Sequence, residues 1–155
     1  MYSASASSAW PIDASMISGT VRASSGVLRR LRSCPALTFI PAATAAAAVR
    51  AGGADRIEIY TEPYAASWGS PKLKDELDRV KRTAAAAVAA GMQVNAGHDL
   101  NLRNTPLLAR TVPEIIEASI GHALIADALY LGLAETVRRY VRACRGEAVD
   151  APVTQ

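Results

Sequence analysis

The chain has little of several things, and each shortage excludes a class of function. It holds two cysteines, Cys34 and Cys144, far apart and in no C-x-x-C or Cys/His ligand spacing. No redox or zinc motif results, and a reducing cytoplasm is the expected setting. Aromatic residues are 5% of the chain, with a single phenylalanine, which offers nucleic acid no stacking platform. The net charge is +3, but several of the arginines fall within Met1–Arg32 or near the C-terminus and form no continuous basic stripe. No nucleic-acid partner is expected. The longest uncharged runs, Ser33–Val49 and Thr83–Asn95, are alanine-rich and broken by Pro35, Pro41 or Gly91. Neither reaches the roughly 20 apolar residues that span a bilayer, so no membrane partner is expected. Neither G-x-x-x-x-G-K-[ST] nor G-x-G-x-x-G occurs, and the two histidines have no matching cysteine or close carboxylate pair. Nucleotide loops and metal sites are therefore not expected.

What is present suits one domain: 155 residues, 50% hydrophobic and 20% charged. Met1–Arg32 is rich in Ser and Ala, carries Arg22, Arg29, Arg30 and Arg32, and has Asp13 as its only acid. That composition resembles a transit peptide, but a disordered extension is the blander reading and is preferred. No secretory signal fits, because no basic segment precedes an apolar run. Residues 1–36 are set apart as this extension, residues 37–146 form the domain, and 147–155 form a frayed tail.

From Leu37 onward strand and helix signals alternate. Leu37–Ile40 suits a short buried strand, and Ala42–Arg50 an alanine-rich helix ended by Gly52 and Gly53. Arg56–Tyr60 is a β-branched strand. Lys72–Ala90 is a helix with Leu73, Leu77, Val80, Ala84 and Val88 on one face and a solvated face of i,i+4 charge pairs. Gly91 stops it, Met92–Asn95 follows as a strand, and a short helix precedes Pro113. Ile116–Ile120 is a further strand, and Ala123–Leu131 and Leu133–Arg145 are helices. Such alternation predicts an α/β fold with a parallel sheet.

In parallel α/β folds the working face is the C-terminal edge of the strands. Glu58 lies within one strand, Asn95, Gly97 and His98 at the end of the next, and Gly121-His122 at the end of another. Singly, each has a plain explanation: a lone His after a strand is more often structural, and a strand Glu more often faces solvent. Together they bring an acid and two imidazoles to one edge, which suits proton transfer by Glu58 and His98. Gly121-His122 opens a helix, whose free N–H groups suit a phosphate, and Gly97 allows close backbone approach.

Four ordered blocks then become specific. Gly53-Ala-Asp-Arg-Ile-Glu-Ile-Tyr-Thr-Glu-Pro-Tyr-Ala65, Val94-Asn-Ala-Gly-His-Asp-Leu-Asn101, Ser119-Ile-Gly-His-Ala-Leu-Ile125 and Gly132-Leu-Ala-Glu-Thr-Val-Arg138 resemble segments of pyridoxine 5'-phosphate synthase. The resemblance covers about Leu37–Arg145 and implies the C-terminal half of a (β/α)8 TIM barrel, its last three to four β/α units. It implies condensation of 1-deoxy-D-xylulose 5-phosphate with 3-amino-2-oxopropyl phosphate to pyridoxine 5'-phosphate, inorganic phosphate and water, without metal or organic cofactor. By the same resemblance Glu58 and His98 are the proton-transfer groups. Gly97, Asp99, Gly121 and His122 take substrate and phosphate, and the assembly is a cytoplasmic homo-oligomer, an octamer in the family.

Three departures stand out. Leu37-Thr-Phe-Ile-Pro41 replaces an S-L-F-I-D strand and loses its acid. Glu62 replaces a glycine, so strain is expected if that turn needs positive φ. The family's N-terminal N-x-D-H segment, second catalytic histidine, phosphate arginine and earlier strand glutamate have no counterpart. A half-barrel is then expected to expose two strand edges and an apolar inner face, to self-associate, and to show weak or no synthase activity. Beside the synthase reading stand a non-catalytic phosphate-binding half-barrel and an inert gene fragment.

Overall fold

The computed structural model describes residues 42–151. The expected strand Leu37–Ile40, the lost acid beside it and the extension 1–36 lie outside the described residues. Helix α1 (Ala42–Ala51) leads into strand β1 (Arg56–Tyr60), short helix α2 (Glu62–Ala66) and long helix α3 (Leu73–Ala89). Strand β2 (Gln93–Gly97), helix α4 (Thr105–Thr111), strand β3 (Ile115–Ser119) and helices α5 (His122–Leu131) and α6 (Leu133–Cys144) complete the order. The three strands form one parallel sheet in the order β1-β2-β3. Parallel neighbours need crossovers, and α3 and α4 supply them.

The expected elements stand with small shifts at their ends. Gly91 takes φ +78° after α3, a conformation that costs a glycine little and ends the helix. Strand β2 runs two residues beyond the expected Asn95, so Ala96 and Gly97 belong to the ladder rather than to the loop. Helix α2 was not anticipated, and it corrects the expectation of strain at Glu62. That residue begins the helix, and the only non-glycine residues with positive φ among the described residues are His98 and Asp99.

Period-two alternation, offset in β3 by an irregularity in its pairing with β2 between Val94 and Asn95, assigns the two faces of the sheet. Ile59, Val94, Ala96, Ile115 and Ala118 are buried with Val80, Ala84 and Ala87 of α3 and Leu108, Ala109 and Val112 around α4. Burying a side chain such as Leu108 is worth about 1.5–3 kcal/mol relative to leaving it exposed, so this helix-covered face is what holds the sheet. A smaller cluster joins Leu102, Leu124, Tyr140 and Ala143. There the Tyr140 hydroxyl donates to Asp127 Oδ2 at 2.7 Å and links α6 to α5. Residues 147–151 have no regular secondary structure; Val149 and Ala151 pack on this cluster, and Arg139 donates to the Asp150 carbonyl at 2.8 Å.

The opposite face of the sheet differs from the apolar inner face expected of a half-barrel. Alternation places Arg56, Glu58 and Tyr60 on it from β1, Gln93, Asn95 and Gly97 from β2, and Glu117 and Ser119 from β3. The face is polar and satisfies much of its own hydrogen bonding, so it needs no apolar cover.

Candidate active site at the C-terminal edge of the sheet

The polar face is built in two tiers. In the lower one, Arg56 Nη1 meets Glu117 Oε2 at 2.7 Å, and Asn95 Nδ2 donates to Glu117 Oε1 at 2.7 Å. Arg56 also reaches Asn95 Oδ1 at 3.4 Å and Gln93 Oε1 at 2.5 Å. One guanidinium thereby spans all three strands and leaves the middle amide, Asn95, buried but paired.

The upper tier lies one pleat nearer the strand ends. Glu58 leans across β2, and its Oε2 accepts a hydrogen bond from the Ser119 hydroxyl on β3 at 2.8 Å. Gly97 makes that crossing possible: a Cβ there would sit 2.8 Å from Glu58 Oε1 and 2.9 Å from Cδ. The close approach expected at Gly97 is thus occupied by the Glu58 carboxylate.

Beyond Gly97 the chain turns through two left-handed residues, His98 at φ +82° and Asp99 at φ +56°. The His98 ring stacks at a tilt on the exposed Tyr60 ring, centroids 4.5 Å apart and planes at 57°. His122 opens α5, with Gly121 in the cap position, and its Nε2 lies 3.5 Å from Asp99 Oδ1. Both of those side chains are exposed, so their attraction is small and screened. The loop is held from beneath. Thr61 donates to the carbonyls of Gly97 and His98, and Asn104 Nδ2 donates to the Asp99 carbonyl at 3.0 Å.

All six expected site residues, Glu58, Gly97, His98, Asp99, Gly121 and His122, thus lie on the polar face or at its C-terminal end. Contacts join Glu58 to Gly97, and Asp99 to His122. Among the described residues no hydrogen bond joins Glu58 to His98; each is set by a different neighbour. Ser119, Tyr60, Thr61 and Asn104 were not singled out from the sequence. Ser119 follows Glu117 at a strand's two-residue spacing, which marks the face but not the partner. Among the described residues no group of three His, Cys, Asp or Glu side chains could hold a metal ion, and no helix is long and apolar enough to cross a membrane.

The family model "Pyridoxal phosphate biosynthesis protein PdxJ" matches residues 26–146, which takes in residues 26–36 as well as the stretch from Leu37. The chain is 55% identical over 102 residues to pyridoxine 5'-phosphate synthase of Albidiferax ferrireducens, covering 66% of this chain and 40% of that protein. Its identity to the same-named protein of Mesorhizobium japonicum is 56% over 98 residues, covering 63% and 40%. For that of Rhizobium meliloti it is 53% over 93 residues, covering 59% and 37%. The chain therefore spans about 40% of the length of these curated relatives. With the match running through β1, β2, β3 and the loops at their ends, the chain belongs to the PdxJ family of pyridoxal phosphate biosynthesis.

Proposed function

We propose that this chain carries the proton-transfer and phosphate-binding edge of a pyridoxine 5'-phosphate synthase, built on the C-terminal half of a (β/α)8 barrel. The reaction condenses 1-deoxy-D-xylulose 5-phosphate with 3-amino-2-oxopropyl phosphate, releasing inorganic phosphate and water. The observation that carries the reading is the delivery of Glu58, His98 and Gly121-His122 to one sheet edge in a chain of this family.

Ring closure of this kind needs protons moved at carbonyl, hydroxyl and amino groups. Glu58 is suited to hold or take a proton at a fixed point, because the Ser119 hydroxyl orients one carboxylate oxygen and leaves the other over Gly97. His98 is suited to exchange a proton with substrate oxygen or nitrogen at the mouth of the edge, where its ring is exposed and steadied by Tyr60. Gly97, Asp99, Gly121 and His122 form the phosphate side. The first turn of α5 offers unpaired N–H groups and the positive end of its dipole. The Gly97 and His98 carbonyls are bound by Thr61, and a planar trans peptide directs N–H opposite to C=O. The amides of His98 and Asp99 accordingly turn away from Thr61.

The open β1 and β3 edges among the described residues, with exposed Leu129, Tyr130 and Leu133, support self-association into a homo-oligomer. With about 40% of a relative's length, turnover by this chain alone is weak. That same partial span favours a second reading, a phosphate-binding half-barrel that forms no product. Calorimetric titration with each phosphorylated substrate tests the site common to both readings. Saturable binding weakened by His122→Ala is expected, and absence of binding to a folded chain would sink both.

A further inference from the structure

Thr61 occupies the N-cap position of α2, yet its side chain makes no capping hydrogen bond. A threonine there ordinarily accepts from an amide of the first helical turn. Here the hydroxyl is directed across to β2. It lies 2.6 Å from the Gly97 carbonyl and 2.6 Å from the His98 carbonyl, while the Thr61 backbone N–H donates to the Gly97 carbonyl at 2.8 Å. One hydroxyl proton serves two acceptors, a bifurcated bond. Thr61 is fully buried, so water does not compete for these bonds.

What they hold is a turn the backbone would not choose. His98 and Asp99 both take positive φ, where a Cβ crowds the following carbonyl. Such conformations persist when surrounding contacts over-determine them, and they gather at functional sites. Asn104, itself buried, takes the next carbonyl, that of Asp99, and the Tyr64 hydroxyl fixes Asn104 through its own carbonyl at 2.8 Å. Tyr60, the residue before Thr61, meets the His98 ring directly. Residues 60 and 61 therefore grip His98 from two sides, by its ring and by its backbone.

We propose that Thr61 is the positioning residue of His98: its hydroxyl locks the left-handed turn and so sets the imidazole against Tyr60 at the sheet edge. The inference rests on the proposed role of His98 and adds the group that fixes where that imidazole stands. The test reads geometry rather than turnover, so it can fail or succeed independently of the synthase reading.

The chain has only two histidines, so ring proton signals can be assigned with a His98→Ala control. Thr61→Val keeps the shape and removes the hydroxyl; Thr61→Ser keeps the hydroxyl and removes the methyl. The expected result is that Thr61→Val loses the Tyr60–His98 ring Overhauser contact and moves the His98 ring signals. Thr61→Ser should retain the parent pattern. A folded Thr61→Val chain with the ring contact and His98 signals unchanged overturns the proposal. If Thr61→Val does not fold, the pair is repeated in an Asp99→Gly background, where a glycine accepts the left-handed turn without strain. Loss of the ring contact in that folded chain upholds the proposal; failure to fold there too would reduce Thr61 to a general stability residue and overturn it.

Discussion

Glu58 fills the space that a side chain at Gly97 would need, its Oε1 lying 2.8 Å from where a Cβ would stand. The glycine is thus required by the acid beside it, and not by its own backbone, since it sits in the β2 ladder. Gly97→Ala should fold normally, because the obstructing atoms belong to the free end of a long side chain. It should also swing the carboxylate off Ser119 and lower product formation by on the order of a hundredfold, as misplacement of about 1 Å does. Kinetics beside a circular dichroism spectrum check it; unchanged rates would detach Glu58 from the chemistry.

Ser119→Ala removes the donor that orients Glu58. Because Glu58 is exposed, the stability change should stay within about 0.5 kcal/mol, read from a urea midpoint. Product formation should nevertheless fall, and Ser119→Thr should recover part of it. A large loss of stability without kinetic effect would show that the hydroxyl serves the sheet alone.

The Arg56–Glu117 bridge ties the outer strands across buried Asn95. Glu117→Leu should leave the buried Asn95 amide without its acceptor and Arg56 without its carboxylate, though still bonded to Gln93, and cost on the order of 1–3 kcal/mol, discounted toward the lower end because Arg56 is a third exposed. Denaturant unfolding measures it, and the double variant Arg56→Met/Glu117→Leu should recover part of the loss. A double variant as unstable as the sum of the two single ones would contradict the pairing.

Burial pushes the Cys144 thiol up to about 12. The folded chain then keeps a proton that the unfolded chain releases near pH 8.5. The thiol's contribution is full below that pH and is lost as pH rises toward about 12, at no more than about 1.4 kcal/mol per pH unit. Burial also raises the Tyr64 hydroxyl, with the Arg110 charge and the Leu108 backbone acting the other way. In a Cys34→Ser background, Cys144→Ala should flatten part of the alkaline loss of stability. Cys144 should also resist thiol reagents until urea unfolds the chain; prompt labelling in the folded state would contradict its burial.

Much of the fold was legible because its signals are local. The apolar stripe of α3, the β-branched run at Arg56–Tyr60 and the glycines after helices each act within a few residues. Helix α2 escaped because its five residues, with Pro63 second among them, carry too little periodicity to register. The polar character of the sheet's second face escaped for another reason. Arg56, Glu58, Glu117 and Ser119 show their two-residue spacing, but only the register across three strands reveals that Arg56 meets Glu117 and that Glu58 meets Ser119. The same limit hid Thr61, whose partner lies 36 residues away in sequence. His98 and Gly121-His122 were readable as strand-end residues, whereas the left-handed turn at His98 and Asp99 depends on buried donors that no local pattern announces.

The most direct test is pyridoxine 5'-phosphate formation from 1-deoxy-D-xylulose 5-phosphate and 3-amino-2-oxopropyl phosphate by the purified chain, beside His98→Ala. Slow product formation that disappears in His98→Ala is the predicted result. Product formed equally well by His98→Ala, or none at all from a folded chain that binds both substrates, would contradict the assignment of proton transfer to this edge.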